Sequence, residues 1–167
     1  MLRAIFSLGA ITIISLALIP VQWLAVRMEW PLRRRIPTFY HRVVCGILGV
    51  HITEIGRRLA EHPLLIVSNH TSWLDISVIT AVAPVVFVAK SEVAGWPVFG
   101  LFAKLQRSVF VDRTRRARTG DVNSEIARRL AGGDPVLLFG EGTSSDGSRV
   151  LAFRTALIGA AGDALAE

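Results

Sequence analysis

From Ala4 to Val26 the chain carries no charged residue, a run of 23 positions closed by Arg3 and Arg27. At the rise of an α-helix this run is about 34 Å long, enough to cross a bilayer core of about 30 Å. Trp23 and Trp30 stand near its far end, where interfacial aromatics gather, while Pro20 and Gln22 weaken or kink the last turns. Arg27, Arg33, Arg34, Arg35 and Arg42 follow the run, against Arg3 alone before it. The positive-inside rule then places the rest of the chain on the cytoplasmic side of the inner membrane. A cleaved signal peptide has a shorter apolar region and a small-x-small cleavage site, and no good one follows here. Residues 1–30 are therefore read as a retained anchor, which spans the bilayer or dips into one leaflet. Pro20 and the basic continuation permit the second arrangement.

Residues 31–60 read as a connector. Between Thr38 and Arg58 a second helix is expected, with Phe39, Val43, Val44, Ile47, Leu48 and Ile52 on its apolar face. Gly46, Gly49 and Gly56 make it a poor isolated helix. It either packs on a neighbouring domain or lies on lipid with its arginines on headgroup phosphates.

Over residues 61–167 the pattern changes to short apolar runs alternating with helical stretches. Leu64–Ser68, Pro84–Ala89, Ser108–Val111 and Pro135–Phe139 have the continuous apolar character of buried strands. Trp73–Ala81, capped by Thr71 or Ser72, and Gly120–Ala131, with Val122, Ile126 and Leu130 inward, are expected helices. Trp96–Lys104 is expected to be helical or mixed, and Val150 to begin another helix. The expected class is α/β, a mostly parallel sheet flanked by helices.

Composition narrows the function. Of 167 residues 51% are hydrophobic, and Lys+Arg outnumber Asp+Glu by 19 to 13. A basic yet apolar chain suits an anionic membrane surface better than nucleic acid, whose binders are basic and polar. One cysteine excludes an internal disulfide, and His41, His51, His62 and His70 lack metal-ligand spacing.

Three polar clusters fall at the carboxyl ends of expected strands, where parallel sheets place their sites. In the first, His70 precedes Asp75 by five positions. With His70 in the loop before a helix and Asp75 in its first turn, the carboxylate can reach back to the ring. That pair is what general-base catalysis requires. The same spacing suits a capping aspartate beside a hydrogen-bonded histidine. The second cluster ends in Arg113, whose planar fork matches phosphate or carboxylate, although a solvated basic loop would look alike. The third, Glu141-Gly142-Thr143, is either a plain turn or a loop whose amides cradle an anion. No G-x-S-x-G elbow is present, so direct attack by a substrate hydroxyl is the simplest chemistry.

Taken in order, Asn69-His70-Thr71-Ser72-Trp73-Leu74-Asp75, Val109-Phe110-Val111-Asp112-Arg113 and Phe139-Gly140-Glu141-Gly142-Thr143-Ser144-Ser145 resemble the first three sequence blocks of the glycerolipid acyltransferases, the family of 1-acylglycerol-3-phosphate acyltransferase. The resemblance implies acyl transfer from acyl-CoA or acyl carrier protein to a lysolipid hydroxyl, most commonly giving phosphatidic acid. His70 would be the base, steadied by Asp75. Arg113, Glu141, Gly142 and Thr143 would hold the acceptor headgroup. No metal or bound cofactor is expected, and no nucleic-acid partner. Two departures stand out. The third block is usually F-P-E-G-T-R-S, whereas this chain has Gly140 for the proline and Ser144 for the arginine. Losing a guanidinium weakens a phosphate site, and Ser144-Ser145-Asp146-Gly147 is similar to relatives that acylate lyso-ornithine lipid. The family's fourth, proline-containing block is also missing before Glu167, so the catalytic domain is expected to be incomplete, with an inactive membrane-binding protein as the remaining alternative.

Overall fold

The computed structural model describes residues 1–56, 63–112 and 119–154, with backbone alone at 119–123. The chain divides into two compact units, Met1–Arg57 with Trp73–Pro84, and Arg58–Ser72 with Val85–Glu167.

The first unit is helical. The apolar run forms α1, Leu2–Arg27. Its packed stripe is its polar one. Ser7, Ser15, Gln22 and Ala25 are buried, while Ile5, Phe6, Leu8, Ile13, Leu16 and Trp23 are exposed. The second helix, α2 (Leu32–Leu48), runs back antiparallel along that stripe. Gln22 meets Arg33, Ser15 meets Tyr40 at 2.9 Å, and Arg3 lies beside Gly49. Pro37 sits inside α2 without breaking it, although its ring leaves the Arg33 carbonyl without a helical donor. The Gln22 side-chain amide donates to that carbonyl at 3.0 Å. The expected helix over Thr38–Arg58 is thus corrected to an earlier start and an earlier stop. Gly49 takes the left-handed conformation (φ 76°), and the Gly49 and Val50 amides close on Gly46 and Cys45. This Schellman pattern ends the helix ten residues short of Arg58. Helix α3, Leu74–Val82, is held on α2 by two side chains. His41 Nδ1 lies 3.1 Å from Ser77 Oγ, and Arg42 Nε donates to the Ala81 carbonyl at 2.7 Å.

Among the described residues the second unit holds a four-stranded, wholly parallel sheet in the order β1-β4-β2-β3. The strands are β1 (Leu65–Ser68), β2 (Val86–Lys90), β3 (Val109–Val111) and β4 (Val136–Phe139). A 3-10 turn, Ser91–Gly95, and α4, Phe99–Leu105, connect β2 to β3; α5, Thr119–Ala131, connects β3 to β4. Val86, Val88, Val109, Val136 and Leu138 share one sheet face, on which Ile126 and Leu130 of α5 pack. Phe87 and Leu137 alternate to the other face and are buried as well. Burial on both faces explains why these strands read as unbroken apolar runs. Arg107 and Asp134, the residues leading towards β3 and β4, form a buried bidentate pair at 2.5 and 3.0 Å.

The α/β class and parallel sheet match the expectation. Trp96–Lys104 resolves into a Pro97 turn followed by α4, because proline has no N–H to continue the preceding turn. The helix expected from Val150 does not begin there: Val150–Arg154 is irregular, and the rest lies outside the described residues. Val122 belongs to the stretch whose side chains are not described.

Candidate active site

Because β1 and β4 are parallel neighbours with Ser68 opposite Phe139, the residues after each strand meet at one edge. His70 leaves β1 and is held there by main-chain bonds. Its N–H donates to Glu141 Oε2 at 2.7 Å, and its carbonyl accepts from the Ser145 N–H at 2.8 Å. The His70 ring stacks on Phe139 with centroids 3.9 Å apart and planes 17° apart. Phe139 in turn stacks on Phe87 at 5.7 Å. A stack occupies the face of an imidazole and leaves its nitrogens, at the ring edge, for hydrogen bonding.

Glu141 is 2% exposed. A carboxylate buried so deeply must be hydrogen-bonded. Its second oxygen, Oε1, accepts the Leu151 N–H at 2.6 Å. Glu141 therefore braces two chain segments, the His70 loop and the stretch after Val150. Gly142 adopts φ 70° and turns its N–H onto the Phe139 carbonyl at 3.1 Å. The amides of Ser145, Gly147 and Ser148 are likewise engaged within the site loops, the last on Asp146. Two hydrogen bonds from Ser148 lower the Asp146 carboxyl below its ordinary value. Thr143 is exposed.

Gly140 stands where the resemblance expects proline. Its N–H donates to the Ser68 carbonyl at 2.9 Å, tying β4 to β1. A Cβ at Gly140 would lie 2.8 Å from Phe153 Cγ and 2.9 Å from Val67 Cγ1. The Phe153 ring fills the space a side chain at 140 would need.

Asp75 lies in the first turn of α3, where a helix N-terminus favours a carboxylate, and belongs to the helical unit. The helix begins one residue later than a Ser72 cap would set it: Trp73 occupies the N-cap position. Asp112 leaves β3 two strand positions from β4, about 10 Å across the sheet. Arg113, the next residue, lies outside the described residues. Sequence reasoning missed Phe139 and Ser145 as partners of His70. Only the β1-β4 register brings them together, and no local pattern records it. Among the described residues no cluster of three or more His, Cys, Asp or Glu has metal-binding geometry.

The structure thus seats a histidine at the carboxyl edge of a parallel sheet, and the chain belongs to the acyltransferase family, whose model matches residues 49–165. It is 52% identical to the lyso-ornithine lipid O-acyltransferase of Brucella abortus over 99% of this chain and 62% of that one. It is 39% identical to the 1-acyl-sn-glycerol-3-phosphate acyltransferase of Neisseria gonorrhoeae over 68% of this chain and 46% of that one. The chain thus spans about half to three-fifths of the length of these relatives. The crystal structure of the 1-acyl-sn-glycerophosphate acyltransferase PlsC from Thermotoga maritima shares the fold, with a TM-score of 0.69 and 22% identity, over 97% of this chain and 71% of that one.

Proposed function

We propose that the protein transfers a fatty acyl group from acyl-CoA or acyl carrier protein to the free hydroxyl of a lysolipid. The observation that carries this reading is the seating of His70, fixed through its N–H, its carbonyl and its ring face at the carboxyl edge of the sheet. His70 takes the hydroxyl proton as the oxygen attacks the thioester carbonyl. The new C–O bond forms, the C–S bond breaks as the tetrahedral intermediate collapses, and the imidazolium returns its proton to the leaving thiolate. Asp75 fixes the tautomer and stabilises the imidazolium. Arg113, Gly142 and Thr143 hold the acceptor, and Glu141 keeps the His70 loop in place. The reading requires no resident cofactor, since the acyl thioester is a co-substrate.

For the acceptor we favour lyso-ornithine lipid, with 1-acylglycerol-3-phosphate as the alternative. Two observations support this order. Ser144 stands where a phosphate-binding arginine is usual, and relatives 52% and 48% identical, from Brucella abortus and Rhizobium meliloti, bear the lyso-ornithine lipid name. The test offers both lysolipids, with labelled acyl-CoA and acyl carrier protein, to the protein in detergent. Transfer to lyso-ornithine lipid, lost in His70→Ala, is the expected result. Transfer only to 1-acylglycerol-3-phosphate reverses the order. If wild type and His70→Ala acylate nothing, the enzymatic reading fails and a membrane-binding protein remains.

The α1–α2 hairpin supplies membrane association, with the sheet unit on the cytoplasmic side. A helix that packs its serines and glutamine inward and turns its leucines outward suits lipid. Since α2 runs alongside α1 and carries Arg33, Arg34, Arg35 and Arg42, a hairpin lying in one leaflet is favoured over a spanning one. An N-terminal tag protected from externally added protease on intact cells supports that arrangement; cleavage of the tag supports a span.

A further inference from the structure

The turn before α4 and the first turn of α4 itself expose large apolar side chains. Trp96 is 55% exposed, Val98 63%, Phe99 59% and Leu101 44%. A soluble surface scatters such residues singly; four exposed within six positions, on the turn and both sides of the first turn of α4, make this an apolar protrusion. The protrusion is displayed by a rigid turn. Trp96 N–H bonds to the Val93 carbonyl, Gly100 N–H to Trp96 and Phe102 N–H to Val98. Val98 is held at φ 62°, a region that a β-branched residue seldom enters. Gly100 seats α4 so closely on the preceding 3-10 turn that a Cβ would lie 2.6 Å from the Ala94 carbonyl oxygen. Strain and apolar exposure therefore occur together, and burying the protrusion against something outside this unit offsets both.

The topology places the protrusion. All four strands are parallel, and α4 is the crossover that begins after β2 ends. Residues 96–101 therefore lie at the carboxyl edge of the sheet, the edge that also carries His70 and Glu141. Lys90 ends β2, Lys104 lies in the last turn of α4, and both are exposed beside the single acid Glu92. Tryptophan and phenylalanine with flanking lysines suit a bilayer interface, where ring and stem sit among acyl chains and ammonium groups reach lipid phosphates.

We propose that Trp96, Val98, Phe99 and Leu101 form a second membrane contact, separate from α1, that lays the carboxyl edge of the sheet on an anionic bilayer. The occupant is the lipid interface. The chain's net charge of +6 and the apolar α1, which keeps lipid within reach, both support lipid over a protein partner. The proposal rests on the membrane association argued above but not on acyl transfer.

The test uses the full chain in vesicles of phosphatidylethanolamine and phosphatidylglycerol. Trp23, Trp30 and Trp73 are changed to Phe, leaving Trp96 as the reporter, and folding is checked by circular dichroism. Trp96 emission is expected to shift to shorter wavelength and to lose most of its intensity when the acyl chains are brominated. In the unmodified chain, a photoactivatable phospholipid is expected to label the peptide containing residues 96–101. Vesicle-bound protein whose Trp96 is quenched by aqueous iodide and not by bromolipid overturns the proposal and leaves the α1 anchor standing. Shielding from both quenchers, with no lipid label, shows that protein covers the protrusion and also overturns the proposal. Failure of the chain to float with vesicles removes both this contact and the anchor.

Discussion

Glu141→Gln isolates the role of one buried carboxylate. In the native protein its two oxygens accept the His70 and Leu151 amides at 2.7 and 2.6 Å. Glutamine keeps the shape but presents an NH2 group to one of these donors. One charge-assisted bond is lost outright, about 1.5–3 kcal/mol, and the other falls to the neutral value near 1 kcal/mol. The expected cost is about 2–5 kcal/mol, a large part of a total of about 5–15 kcal/mol. For a chain of this size the melting temperature should drop by about 4–20 °C, read by near-UV circular dichroism in detergent. Hydrogen exchange should quicken at both amides, and kcat should fall more than KM because the His70 ring moves with its backbone. A melt within about 1 °C of wild type, with unchanged exchange at His70 and Leu151, would refute the bracing role.

Three further perturbations have defined outcomes. Asp134→Ala strips the partner from the buried Arg107 guanidinium and should cost about 3–5 kcal/mol in chemical denaturation. Gly140→Pro removes the amide that ties β4 to Ser68 and forces a ring into the place of Phe153; the variant should melt lower and show faster exchange in β1. Ser148→Ala removes a hydrogen bond from the Asp146 carboxylate, so its carboxyl should titrate closer to the usual 3.8 by NMR. In wild type, the loop stabilisation from this depressed carboxyl is present above its unfolded value and lost as pH falls through the lowered folded one.

What the sequence made legible follows from what is local. The four strands were visible because burial on both faces leaves long apolar runs, and α1 because its length is its signal. The end of α2 is not legible in the pattern. The apolar spacing continues to Ile52, while the stop depends on one glycine conformation at Gly49. His70, Asp75 and Glu141 stood out through the ordered blocks. Their mechanical roles did not, because Glu141 reaches His70 across 71 positions and Ser145 reaches it across 75. Phe139 reads in sequence as one more core residue; only the pairing of β1 with β4 makes it the platform under the imidazole.

The strand order carries a consequence for biogenesis. Among the described strands β4 comes last in sequence yet lies between β1 and β2, so the first two strands have no shared partner until residue 136 onwards has left the ribosome. Until then they present open edges, and such non-local pairing is slow to form. The hydrophobic N-terminal hairpin is complete long before that moment. The hairpin thus emerges before the sheet can close, and the histidine loop receives its clamp only once Glu141 and Ser145 have been made.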